Sequence, residues 1–155
     1  MLTVDLKDGA ETLDALEKVI ADGYLECFDV EHNPCAITVC ISGDVVQPED
    51  FTRHPAFIYQ DGRMGVEYTP EQLARVGMIS QDFSDYVKWD GVRDLTKEEM
   101  ALLQGLVDDV HKKGKPARFW AMPDTPKAWA VAQELGLDFI NTDTPDRVRE
   151  FINRE

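Results

Sequence analysis

The chain opens on an alternation, with Leu2, Val4 and Leu6 set against Thr3, Asp5 and Lys7. A period of two sends the two sets to opposite sides of a strand, so one face of residues 2–7 carries a carboxylate and an ammonium two positions apart. The period then changes to helical, with Leu13, Leu16, Val19 and Ile20 on one side of a helix over residues 10–21. Apolar runs of strand length and helix-period segments keep alternating to the end. "AITVCIS" reads as a strand, a short helical stretch follows near residues 48–53, and "AFIYQDGR" is a strand closing in a glycine turn. "PEQLAR" makes a brief helix before the strand "VGMISQDF". The longest helix lies in "LTKEEMALLQGLVDDVHKKG", where Thr96 as N-cap and Glu99 three residues on form a capping box, and lysines before Gly114 suit a stop. "PARFWAM" and "DFINTD" are the last two strands, with a helix from Pro126 to Leu135 between them and a final helix near residues 146–153.

This alternation is the pattern of parallel β/α units, and the fold class it predicts is α/β. Right-handed crossovers would bring the C-terminal ends of all six strands to one mouth. Polar residues fall at those ends: Asp5 and Lys7, Ser42 and Asp44, Asp61 and Arg63, Ser80 and Asp82, Trp120 and Asp124, Asn141 and Asp143. In β/α barrels catalytic side chains sit there. Strand-to-helix loops are also polar because they cap helices, so each residue taken singly has a structural explanation as well.

Composition narrows the field. A chain of 155 residues with 43% hydrophobic content suits a single domain over residues 1–155, without internal repeats or low-complexity stretches. No apolar run is long enough for a membrane span and no secretory leader is visible. The net charge of −14, from 30 acidic against 16 basic side chains, disfavours nucleic acid, which is held by clustered Lys and Arg. Cys27, Cys35 and Cys40 lack the spacing of a zinc site or a disulfide framework, which fits a reducing cytoplasm. Cys40 falls inside a strand, where a small core residue is expected rather than a nucleophile. His32, His54 and His111 fall in loops entering strands or late in a helix, away from the strand C-terminal ends, and are expected to be surface or packing residues.

Five segments in order, "LTVDLK", "FIYQDGR", "VKWDG", "ARFWAMPD" and "DFINTDTPDRV", resemble the barrel phosphodiesterases related to glycerophosphodiester phosphodiesterase, phosphatidylinositol-specific phospholipase C and sphingomyelinase D. The closing "NTDTP" is similar to the Thr-Asp-x-Pro of that family's last strand. The resemblance implies an incomplete TIM-type (β/α) barrel whose six parallel strands match the family's third to eighth. The first two strands, with the catalytic histidine pair and further metal-binding acids, would then lie outside this sequence.

On this resemblance Asp5 is a ligand to a divalent cation, Mg²⁺ or Ca²⁺, and Lys7 is the catalytic lysine that stabilises charge on the phosphate. Without a ligand the two could simply pair with each other. Trp120, which shares a strand face with Arg118, resembles the tryptophan that walls the substrate pocket, suiting an alcohol headgroup or a quaternary amine. Trp120 could equally be core. Arg63 could reach a phosphate or pair with Asp61, while Trp89 and Trp129 are expected to pack. This leaves two readings. One is the C-terminal part of a metal-dependent phosphodiesterase, acting on a small phosphodiester or lipid headgroup, with the isolated chain inactive. The other is a non-catalytic partial barrel whose open strand edges are covered by a second copy or a partner.

Overall fold

A computed structural model describes residues 1–29, 31–43 and 46–153. The six strands among them run parallel in the order of the chain: β1 (Leu2–Leu6), β2 (Val39–Gly43), β3 (Ile58–Arg63), β4 (Val76–Asp82), β5 (Ala117–Trp120) and β6 (Phe139–Ile140). Between and after them lie α1 (Ala10–Gly23), α2 (Leu25–Phe28), α3 (Pro70–Ala74), α4 (Lys97–Lys112), α5 (Pro126–Glu134) and α6 (Pro145–Ile152), with a 3-10 helix at Pro48–Arg53. This is the α/β class read from the sequence, six successive parallel strands with the connectivity of an incomplete (β/α) barrel. Among the described residues no helix is long and apolar enough to cross a membrane. The chain divides into two compact units, Met1–Gly62 with Val66–Met78, and Arg63–Gly65 with Ile79–Glu155.

In the first unit, β1 and β2 are in register from Leu2 opposite Val39 to Leu6 opposite Gly43. Leu6, Val39, Ile41 and Ile58 pack against Leu13 and Ile20 of α1, all at 3% exposure or less. Burying each such aliphatic side chain contributes about 1.5–3 kcal/mol, so the sheet and α1 hold each other in place. The apolar stripe of α1 is narrower than its sequence suggests. Val19 is 55% exposed because, six residues on from Leu13, it has turned about 240° and left the line of Leu13, Leu16 and Ile20. Leu2 is likewise 46% exposed, so only the Leu6 end of the β1 alternation is buried.

The strand expected from Ala36 starts instead at Val39, because Ala36 N–H is spent on the Asn33 carbonyl and Ile37 N–H on that of Cys27. The four-residue α2 escapes sequence reading because it is shorter than one helical repeat of apolar positions. Arg75 Nη2 donates to the carbonyls of His54, Pro55 and Ile58, fixing the turn that leads into β3. Burial pulls the Arg75 guanidinium below its ordinary value.

In the second unit, β4 meets β5 from Ile79 opposite Ala117 to Asp82 opposite Trp120, and β5 meets β6 at Arg118 opposite Phe139. Helix α4 buries Leu103, Val107 and Val110, one helical face. Phe83 packs edge-on to Phe119 and tilted to Trp89, and Trp129 packs edge-on to Phe151, so Trp89 and Trp129 are the packing residues expected of them. The capping box is made: Glu99 N–H donates to Thr96 Oγ1 at 3.1 Å and Thr96 N–H to Glu99 Oε2 at 2.8 Å. Arg93 grips the same carboxylate through both terminal nitrogens, at 2.6 and 2.7 Å, and this first, with Thr96, holds Glu99 at about 2. The last strand is two residues, not the six of "DFINTD", because the segment after Ile140 turns away to bond with the loop following β5.

Candidate functional site

At the end of β1, in the first unit, Lys7 Nζ donates to Asp5 Oδ2 at 2.6 Å, with the side chains 76% and 54% exposed. The face that carries them is open, and a pair at that exposure contributes little to stability, about 0–1 kcal/mol. Gly43 next to them has φ +80°, and a Cβ there would collide with Asp5 Oδ1 and the Leu6 carbonyl. A bare glycine is therefore what lets the Asp5 carboxylate lie across the end of β2. Asp44, the next polar residue in the sequence reading, lies outside the described residues. Ser42 Oγ donates to Asp61 Oδ2 at 2.7 Å, joining the ends of β2 and β3, and Asp61 is only 1% exposed.

A hard cation takes six or more oxygen ligands. At this strand end Asp5 offers a carboxylate, one of whose oxygens is engaged by Lys7. Among the described residues no three of His, Cys, Asp and Glu converge as a metal site.

In the second unit the two residues expected to line a substrate pocket from different strands do meet. Arg63 Cζ lies over the indole of Trp120, 5.0 Å from the ring centroid. Asp82 lies opposite Trp120 in register, and the Trp120 side chain is among the groups that lower its carboxyl. Asp82 also accepts from Ser84 N–H at 2.7 Å, and these bonds, Ser84 first, hold its carboxyl below the usual range. Arg118, two residues before Trp120, donates to Asn141 Oδ1.

Asp124 is a structural hub. Burial pushes its carboxyl up, but Thr142 Oγ1 at 2.7 Å, Thr144 Oγ1 at 2.9 Å, Trp129 Nε1 at 2.9 Å and Asp143 N–H at 3.2 Å all donate to it, and together they bring it below the usual value. The "NTDTP" segment therefore ties the loop after β6 to the loop after β5. The signal in the sequence is the pair of threonines two apart around an aspartate, but nothing local names Asp124 as their acceptor.

Each histidine bonds a carboxylate: His32 with Asp29 at 2.9 Å, His54 with Glu17 at 2.7 Å and His111 with Asp138 at 2.9 Å. The Asp29 hydrogen bond raises His32 above its ordinary value. Cys40 is fully buried in β2, a core residue as expected, whereas Cys27 and Cys35 are exposed. Gln60, in β3, is fully buried with neither its amide nitrogen nor its amide oxygen bonded.

The fold thus defines an α/β chain of successive β/α units, with acidic and basic side chains placed at the C-terminal ends of individual strands. No family model matches the chain, and no solved structure matches it. It is similar to the Altered inheritance of mitochondria protein 6 of Eremothecium gossypii, with 23% identity over 168 residues that cover 90% of this chain. The chain spans 41% of the length of that relative.

Proposed function

We propose that this chain is the C-terminal portion of a metal-dependent phosphodiesterase acting on glycerophosphodiesters or phospholipid headgroups, and that by itself it is inactive. The observation that carries the reading is the Asp5–Lys7 pair, held over Gly43 at the end of the first of six parallel strands in barrel order. A phosphodiester is a hard oxygen anion. Lys7 places an ammonium where charge would build on its oxygens, and Asp5 contributes one oxygen ligand to Mg²⁺ or Ca²⁺, which would supply charge neutralisation. The rest of the machinery, including the general acid and base, belongs to other parts of the whole protein. Substrate binding is assigned to Arg63, Arg118 and Trp120, and the stacking of Arg63 on the Trp120 indole supports that assignment.

The test is hydrolysis of an aryl phosphodiester and of a glycerophosphodiester by the full gene product with Mg²⁺ or Ca²⁺. Activity lost on chelation and cut about a hundredfold to ten-thousandfold in Asp5→Ala and Lys7→Ala, with none from the 155-residue chain, is the expected result. A full gene product that cleaves neither substrate with either metal refutes the proposal.

One observation favours a second reading, a non-catalytic partial barrel that completes its sheet by self-association or with a partner. β1 stands at one end of the strand order, with Met1 48% and Leu2 46% exposed beside it. An exposed apolar strand edge is a template for another strand. Sedimentation decides it for the self-association arm: a dimer that Leu2→Lys dissociates supports the reading, and a monomer at the highest soluble concentration counts against it.

A further inference from the structure

Where the chain enters β3, at the opposite strand end from Asp5 and Lys7, the first unit holds a cavity of about 210 Å³. Leu25 of α2 and Asp29, Glu31 and His32 of the loop after it line one side, and Phe57 and Tyr59 line the other. None of these residues has a part in the phosphodiesterase reading. Both sides are fixed by hydrogen bonds that need no ligand. Asp29 accepts from the N–H groups of Glu31 and His32, at 3.2 Å each, and from His32 Nδ1 at 2.9 Å. Asn33 Nδ2 ties the same loop back to the Glu26 carbonyl at 2.7 Å. Across the cavity, Arg75 Nη2 donates to the carbonyls of His54, Pro55 and Ile58, which bracket Phe57. A site built this way exists before its ligand arrives, so little ordering opposes binding.

The charges at the rim decide which ligand suits it. The Asp29 hydrogen bond raises His32 above its ordinary value, but the ring faces that same carboxylate and the two charges offset each other. The Arg75 guanidinium is directed at its carbonyls and does not line the cavity. Glu31 remains, exposed, and no donor among the described residues engages its carboxylate. Glu26 lines the adjoining hollow with Asp29 and His32. A cation therefore meets net negative charge, in a chain whose formal charge of −14 already concentrates cations at its surface, and an anion is repelled. Beneath the rim lies apolar surface from Leu25 and two aromatic side chains, Phe57 being partly buried against the core of the sheet. Aromatic linings attract cations as well as apolar groups. The volume is below the range of about 300–1,000 Å³ that drug-sized ligands occupy, which limits the body to one ring or a short alkyl chain.

We infer that this cavity binds a small organic amine, with its ammonium at Glu31 and its apolar body against Leu25, Phe57 and Tyr59. The probes are phenethylamine, a cation near neutral pH, and two analogues of similar size, neutral 2-phenylethanol and anionic phenylacetate. Binding is read from the backbone amide resonances of Phe57 and Tyr59 in ¹⁵N NMR of the chain. The amine is expected to shift them at concentrations about fivefold or more below the alcohol, the combined effect of an exposed ion pair and of a cation at aromatic surface, with phenylacetate the weakest. Glu31→Gln keeps the backbone bond to Asp29 and, with an unchanged circular dichroism spectrum, should bring amine and alcohol to within about twofold of each other. Equal binding of amine and alcohol, tighter binding of phenylacetate, an unchanged preference in Glu31→Gln, or no shift with any probe overturns the inference. Its outcome is separate from that of the phosphodiesterase test, because no probe carries a phosphate and the cavity lies at the other end of the strands.

Discussion

Gly43 and Gln60 show how much single residues carry at the sheet. Gly43 sits at φ +80°, where an L side chain is strained, and its missing Cβ leaves room for Asp5 Oδ1 and the Leu6 carbonyl. Gly43→Ala is expected to lower stability by at least about 1–2 kcal/mol in urea unfolding, the cost of a left-handed backbone before any clash. Adding Asp5→Ala should recover only part of it, because the Leu6 carbonyl cannot move aside. Gln60 errs in the other direction. A buried amide without partners costs about 1–3 kcal/mol, so Gln60→Met should raise the unfolding midpoint, and a drop would mean that the amide is satisfied in solution. Neither residue announces itself in the sequence. "SGD" reads as a strand end and "YQDG" as another, and only the folded sheet shows that one glycine faces a carboxylate and that one glutamine is buried.

Within and between elements, two carboxylates organise their surroundings and make the clearest pH predictions. Glu99 is held at about 2 by Arg93 first and by the Thr96 N-cap, so Arg93→Ala should bring it back toward 4.5 in an NMR titration. Its folded value is depressed, so its support for α4 is present above the unfolded value and fades as pH falls toward about 2. Asp124 follows the same sign. Its folded carboxyl lies below 3.8, the unfolded chain binds more protons as pH drops below that, and stability falls with pH until the folded value is passed. Asp124→Asn should flatten that acid limb in urea unfolding at a series of pH values. Thr144→Val, which removes one hydrogen bond to the ionised carboxylate, should cost about 1.5–3 kcal/mol near neutral pH in the same assay. The Thr96–Glu99 box was legible in the sequence because its partners are three residues apart. Asp124 and Thr142 are separated by 18 residues, and their bond depends on where β5 and β6 place their loops.

At the scale of the whole molecule, 30 acidic against 16 basic side chains leave a net charge of −14. Self-repulsion of that size opposes compaction and is screened over about 10 Å at 0.1 M salt. Exposed ion pairs such as Lys18–Asp22 and Lys112–Asp109 are weakened by the same screening, but each contributes little. The unfolding midpoint should therefore rise as sodium chloride is added, and a midpoint that falls would show that ion pairs outweigh the net repulsion.

The sequence by itself determined the order and type of the strands and of the longer helices, the two-residue period of β1, the helical stripe of α1, the Thr96 cap and the α/β class, because each rests on spacing within a few positions of the chain. It also placed Asp5, Lys7, Arg63 and Trp120 at strand ends and Arg118 on the strand face of Trp120. Their partners were decided by tertiary structure alone. Asp5 against Gly43, Ser42 with Asp61, Arg63 over Trp120 and the threonines on Asp124 all depend on which strand end lies beside which. That is set by strand register and loop path, and no local period encodes either.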